Sequence, residues 1–222
     1  MILLHGLART SGSMSEVERV LTDEGYHVVN AGYPSRDFPI NVLAESTIPD
    51  ALRACPDGST VHFVTHSMGG ILVRYYLGQH PVEGLGRVVM MGPPNGGSEV
   101  VDKLRNVPGF GVLNGQAGDQ LGTDTTSVPV QLGPATFEVG VIAGNRSISP
   151  ILSALLPGPD DGKVAVAQTC LEGMTDHVVL PVTHTFMMRN GSVLRQIVLF
   201  LEAGAFDHEA SSPEDVCETV RE

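Results

Sequence analysis

The chain has 222 residues, 42% of them hydrophobic, and a formal net charge of −12. That length and apolar content suffice for one domain with a sizeable core, while the acidic balance excludes nucleic acid and anionic membrane surfaces as natural partners, since both repel it. No run approaches a membrane span, and no basic segment leads into a short apolar stretch of signal type. The expectation is a cytoplasmic protein without stable membrane insertion, secretion requiring that a signal had been removed.

Met1-Ile2-Leu3-Leu4 reads as an opening strand running directly into His5-Gly6-Leu7-Ala8-Arg9. A strand at the first residue predicts a minimal sheet without extra leading strands. Val17, Val20 and Leu21 then share a helical face, opened by a Ser13-x-x-Glu16 capping box and ended near Gly25, with Val28-Val29 as the next strand. A helix over 43–54, a strand over 61–64, a helix over 70–79 and a strand over 88–91 follow. Such alternation predicts an α/β fold, a mostly parallel sheet with helices on both faces. Residues 107–136 are rich in Gly, Thr, Asp and Pro around isolated Phe110, Val112, Leu113 and Leu121. They lie where a small cap or lid crosses a site, the plain alternative being a surface loop. Strands at 139–143 and 178–180 precede a last amphipathic helix of Val193, Leu194, Ile197, Val198 and Leu201, opened near Asn190 and stopped near Gly204. One domain thus spans 1–204, and 205–222, with Asp207, Glu209, Glu214, Asp215, Glu218 and Glu222, reads as a flexible acidic C-terminal tail.

Chemistry concentrates at Thr65-His66-Ser67-Met68-Gly69-Gly70, between the apolar run Val61-His62-Phe63-Val64 and the helical Ile71-Leu72-Val73-Arg74. A serine on a sharp turn between strand and helix is the setting of a G-x-S-x-G nucleophile elbow, where the helix aims N–H groups and its dipole at the reacting oxygen. Gly69 and Gly70 relieve crowding at the turn, and Thr65 replaces the first glycine of the pattern. A serine hydroxyl needs a histidine base and an orienting carboxylate, expected after it in the order Ser, Asp or Glu, His. His184, between the last strand and last helix, is the favoured base and His177 the alternative; His208 lies in the tail and reads as solvated. Asp161, in the turn Pro159-Asp160-Asp161-Gly162, is the favoured carboxylate, with Asp160 and Asp176 as substitutes. The oxyanion hole calls for two backbone N–H donors, expected at Met68 and Leu7, with His5 fixing the early loop by hydrogen bonding.

Together, His5-Gly6-Leu7, the Ser67 elbow, Asp161-Gly162 and His184 resemble the esterases and lipases of the α/β-hydrolase superfamily across residues 1–204. The likeness is greatest to small bacterial enzymes with a Thr-His-Ser-Met-Gly-Gly elbow, and Pro93-Pro94-Asn95-Gly96-Gly97-Ser98 is similar to that group too. The resemblance implies a minimal α/β-hydrolase fold, a Ser67, Asp161, His184 triad and an acyl-enzyme intermediate. The early loop departs from the glycine-rich version of the family, and Leu7 is bulky enough to restrict an acyl pocket.

The function expected is a carboxylesterase acting on a small-molecule ester with a short to medium acyl chain. A lipase, thioesterase or acyltransferase would use the same triad, and a hydrolase-fold binding protein without turnover is the rival of another class. No cofactor and no metal are expected, since no His, Cys and carboxylate cluster has ligand spacing. A monomer is favoured. Cys55, Cys170 and Cys217 are an odd, scattered set that fits a reducing compartment, a Cys55–Cys170 bridge being without support.

Overall fold

The computed structural model describes residues 1–212 and Cys217, apart from the side chains of Leu113 and Ala210. Six strands, β1 (Ile2–Leu4), β2 (Val29–Ala31), β3 (Val61–His66), β4 (Leu85–Met91), β5 (Val139–Gly144) and β6 (Asp176–Leu180), form one sheet in the order β2-β1-β3-β4-β5-β6. Every pairing is parallel. Helices α1 (Ser15–Asp23), α2 (Ile40–Arg53) and α3 (Met68–Leu77) alternate with the first strands. Then come α4 (Glu99–Leu104), α5 (Phe110–Asp119, kinked at Gly115), α6 (Val128–Gln131), α7 (Pro150–Ser153) and α8 (Val166–Thr169), before the long α9 (Gly191–Ala203).

Strand side chains alternate between two cores, as the twofold period of a strand requires. Ile2, Leu4, Phe63, Val88 and Met90 face α2 and α3. Leu3, Val64, Val89 and Met91 face Val17 and Leu21 of α1 and Val193, Ile197 and Phe200 of α9. Burial of both faces explains why the strands read as continuous apolar runs. Asn190 caps α9 by accepting from the N–H groups of Ser192 and Val193, and Gly204 closes it.

Three expectations are corrected. The capping box does not form: a 3-10 turn over Ser11–Met14 leads into α1, Ser13 Oγ donates back to Thr10 O (2.8 Å), and Glu16 pairs with Arg19. The start of the tail is docked rather than free. Phe206 is buried against Phe200 at 4.9 Å between ring centroids, and Ser212 N donates to Val179 O at 2.8 Å. Glu214, Asp215, Glu218 and Glu222 lie outside the described residues. Finally, Cys170 is bonded to Cys217, with Cα atoms 5.5 Å apart, and Cys55 is the free thiol. The odd count therefore hid one bridge, and the cysteines no longer argue for a reducing compartment.

The bridge closes a loop across a sequence separation of 47 residues, a constraint worth about 2–4 kcal/mol through the unfolded chain. Cys217→Ser is expected to lower the unfolding free energy in urea by that amount, and Cys55→Ser by less than about 1 kcal/mol.

Candidate active site

The strand order reverses at β1, which sends the chain outward to β2 and then back to β3 on its other side. Crevices outside the carboxyl ends of strands at such a switch point are where parallel sheets bind ligands. Here the loops leaving β1 and β3 meet. A Cβ placed on Gly6 would lie 3.1 Å from Ser67 Cβ.

Ser67 follows the last residue of β3 and precedes α3, with φ 53° and ψ −124°. A non-glycine residue pays about 1–3 kcal/mol for such a backbone and keeps it only when its surroundings leave no alternative. They leave none here. Ser67 N donates to Met91 O of β4 (2.8 Å), and Ser67 O accepts from Gly70 N (3.0 Å). The first turn of α3 presses on the end of β1 so tightly that a Cβ on Gly69 would stand 2.5 Å from Leu4 O. Thr65, the departure from the glycine pattern, is buried with its Oγ1 3.4 Å from Val89 O, in space that Gly70 leaves open.

The loop after β6 brings His184 to the serine. His184 Nε2 stands 3.0 Å from Ser67 Oγ, and Nδ1 stands 2.7 Å from Asp161 Oδ2. With Nδ1 protonated, the ring donates to the carboxylate and accepts from the hydroxyl. Asp161 is fixed in turn: Oδ1 accepts from Val164 N (2.8 Å) and Lys163 N (3.0 Å), and its carbonyl accepts from His184 N (2.9 Å). Gly92, just after β4, makes room for the pair, since a Cβ there would lie 3.0 Å from Asp161 Oδ2 and 3.2 Å from His184 Nδ1.

The alternatives are occupied elsewhere. Asp160 Oδ1 accepts from Ser153 Oγ and Gly162 N, both at 2.7 Å. Asp176 accepts from Phe206 N (2.7 Å) and from His208 Nε2 (3.0 Å), so His208 stays exposed to solvent, as expected, while tied to the first residue of β6. His177 is buried within β6 against Thr169 Oγ1 at 2.9 Å.

Leu7 follows Gly6 in the loop that crosses the serine, and Met68 opens α3. His5 holds this loop as expected. Its ring stacks on Tyr33 with centroids 4.0 Å apart, its Nδ1 lies 2.9 Å from Gly6 O, and the Tyr33 hydroxyl donates to His5 O. Burial pushes the His5 imidazole down and the Tyr33 phenol up, so both stay neutral at neutral pH. Ala8, at φ 55°, is held by Ser35 Oγ at 3.0 Å from its N–H.

Two positions carry more of the site than the sequence suggested. His66 is buried, and its Nε2 donates to His184 O at 3.0 Å, fixing the loop that carries the His184 ring. Burial first and the neighbouring His184 second hold its imidazole well below the usual range, which keeps it neutral. Arg74 on α3 donates to Asn95 O (3.0 Å), Gly133 O (2.8 Å) and Pro129 O (3.3 Å). Burial pushes this guanidinium down to about 10, and its carbonyl partners tie the turn after β4 and the segment 128–133 to the helix behind Ser67. Neither residue announces itself in sequence, because each acts on main-chain oxygens.

A cavity of about 310 Å³ opens beside Ser67 and His184. Leu7, Val101, Leu104, Phe110, Leu121 and Val164 give it an apolar wall, and Arg9 and Lys163 also line it.

No family model and no curated protein matches the sequence. Solved structures do. A mature lipase from Bacillus licheniformis superposes with a TM-score of 0.72 at 18% identity, over 91% of this chain and 90% of that one. The fold is that of the α/β-hydrolases. A phospholipase from Legionella pneumophila superposes with a TM-score of 0.71 at 18% identity, over 92% of this chain and 59% of that one. A metagenomic carboxyl esterase does so at 0.64 and 18%, over 82% and 64%. Likeness at this identity establishes the α/β-hydrolase fold and no residue's role.

The close approach at Gly69 sets an expectation for stability. Gly69→Ala is expected to destabilise by more than about 2 kcal/mol through overpacking, whereas Gly191→Ala, where a Cβ would meet nothing within 4 Å, is expected to be neutral or to stabilise by about 0.5 kcal/mol. Thermal unfolding of the two variants beside the parent checks the contrast.

Proposed function

We propose that the protein is a serine carboxylesterase that cleaves short to medium acyl esters through an acyl-enzyme. The observation carrying this reading is the unbroken relay from Ser67 Oγ through His184 to Asp161 Oδ2, at 3.0 and 2.7 Å, opening on an apolar cavity. In this mechanism Ser67 Oγ attacks the ester carbonyl carbon as His184 Nε2 takes its proton. Asp161 stabilises the imidazolium, and the N–H groups of Leu7 and Met68 receive the developing oxyanion. Collapse breaks the bond to the alcohol, which leaves with the proton from His184. Water then attacks the acyl-serine by the same relay and releases the acid.

A pocket of about 310 Å³ suits an acyl chain of modest length. Phe110, Asn114 and Leu121 of the 107–136 segment line it, which supports reading that segment as a small cap. A lipase is the second reading. Val112 and Ile151 are 85% and 79% exposed on α5 and α7, whose Phe110 and Leu152 line the same cavity, so apolar side chains flank its mouth. The Cys170–Cys217 bridge favours an oxidising compartment over the cytoplasm. Among the described residues no helix is long and apolar enough to cross a membrane.

p-Nitrophenyl acetate, butyrate, octanoate and palmitate, assayed with the parent and Ser67→Ala, test the reading. Saturable turnover of the short esters that vanishes in the variant is expected; equal rates in two folded proteins would overturn it. Asp161→Asn is expected to lower kcat by about 10³–10⁴, and Asp160→Asn by less than about tenfold, since only Asp161 touches His184. Turnover of a tributyrin emulsion that rises steeply above the solubility limit would favour the lipase reading.

A further inference from the structure

Arg9 and Lys163 stand out among the cations of this acidic chain. Arg19, Arg53, Arg87, Arg105 and Arg195 each meet a carboxylate. Arg9 and Lys163 line the cavity that holds Ser67 and His184, yet neither side chain makes an ion pair or hydrogen bond among the described residues. Arg36, Arg146 and Arg189 also make no ion pair with a carboxylate among the described residues, but they do not line that cavity. No Asp or Glu is among its described lining residues, in a protein whose net charge is −12.

Both cations sit on fixed backbone. Arg9 N donates to Gly6 O (3.3 Å) in the turn after β1, beside Ala8, whose N–H is held by Ser35 Oγ at 3.0 Å. Lys163 N donates to Asp161 Oδ1 (3.0 Å), and its carbonyl accepts from Ser98 Oγ (2.9 Å). The two charges also act on each other. Loss of water around the Lys163 ammonium and then Arg9 push its affinity for a proton down, while Asp161 partly offsets them. The residue as a whole is exposed, so an anion can reach it from solvent. Two like charges held near each other, with the nearby Asp161 carboxylate engaged by His184, are unfavourable, and an anion between them would relieve both.

We propose that Arg9 and Lys163 form an anion subsite at the mouth of the cavity, and that the preferred substrate is an ester carrying a carboxylate or phosphate near its scissile bond. The apolar wall then takes the hydrocarbon part and the two cations the charged group. This rests on the reading of Ser67 as nucleophile. The shared chemistry is the anion, which arrives either on the acyl side, as in the half-ester of a dicarboxylic acid, or on the alcohol side, as in an acylglycerol phosphate.

The test compares kcat/KM within matched pairs at low ionic strength: mono-p-nitrophenyl adipate against p-nitrophenyl hexanoate, and 1-hexanoylglycerol 3-phosphate against 1-hexanoylglycerol. The parent is expected to favour the anionic member of at least one pair by about tenfold or more, and the responding pair identifies the side that carries the charge. The preference is expected to shrink in 0.5 M NaCl through screening, and to fall to about one in Arg9→Gln/Lys163→Gln. The ratio is the readout, because a Lys163 that acted only through Asp161 would change both members of a pair equally and leave the ratio intact. An unchanged ratio in the double variant, or a parent that favours the neutral ester in both pairs, would overturn the anion subsite while leaving the esterase intact. No turnover of any of the four esters by the folded parent would remove both.

Discussion

The site depends on one backbone constraint, the φ of 53° and ψ of −124° at Ser67. A serine relaxes from such a conformation unless the chain on both sides is held, and here it is held by different elements. Strand pairing fixes the N–H on Met91, the helix start fixes the carbonyl on Gly70, and contact with the end of β1 stops the first turn of α3 from shifting. The strained serine is thus a by-product of sheet packing, and the cost of about 1–3 kcal/mol falls on a core large enough to bear it. With the serine fixed, the remaining geometry follows from loop ends: β1 delivers Gly6 and Leu7, β4 delivers Gly92, and the loop beyond β6 delivers His184.

The second layer is a set of polar side chains that spend their hydrogen bonds on main-chain oxygens. His66 grips the His184 carbonyl, the Tyr33 hydroxyl grips His5 O, and Arg74 gathers the carbonyls of Asn95, Pro129 and Gly133. A buried arginine with no carboxylate partner among the described residues carries a large desolvation cost, which its carbonyl contacts offset. Its shifted pKa, still near 10, keeps it charged at neutral pH. Fixing loops from beneath in this way uses main-chain oxygens, and among the described residues the Arg9 and Lys163 side chains at the cavity make no ion pair.

The sheet was legible because buried parallel strands leave apolar runs and a helix leaves a 3.6-residue stripe. All six strands and the helices α1, α2, α3 and α9 fall within a few residues of their expected positions. Ser67 and His184 were legible from junctions, one between strand and helix and one between the last strand and last helix. Asp161 was harder, because Asp160 and Asp161 share one turn and only the fold decides which carboxylate faces His184. What stayed hidden depends on long-range placement. The partner of Cys170 lies 47 residues away, Gly92 matters only because two other loops meet beside it, and the roles of His66 and Arg74 lie in carbonyl contacts that no motif records. The Ser13 to Glu16 spacing misled because a 3-10 turn took the place of the cap and Arg19 took the glutamate.

The central claim, that Ser67 is a nucleophile activated by His184, is tested most directly by labelling with a fluorophosphonate, read by intact mass and peptide mapping. The account predicts one adduct per chain, located on Ser67 and formed at least about 10³-fold more slowly in His184→Ala. No adduct on the folded protein, or an adduct on another serine with Ser67 untouched, would contradict it.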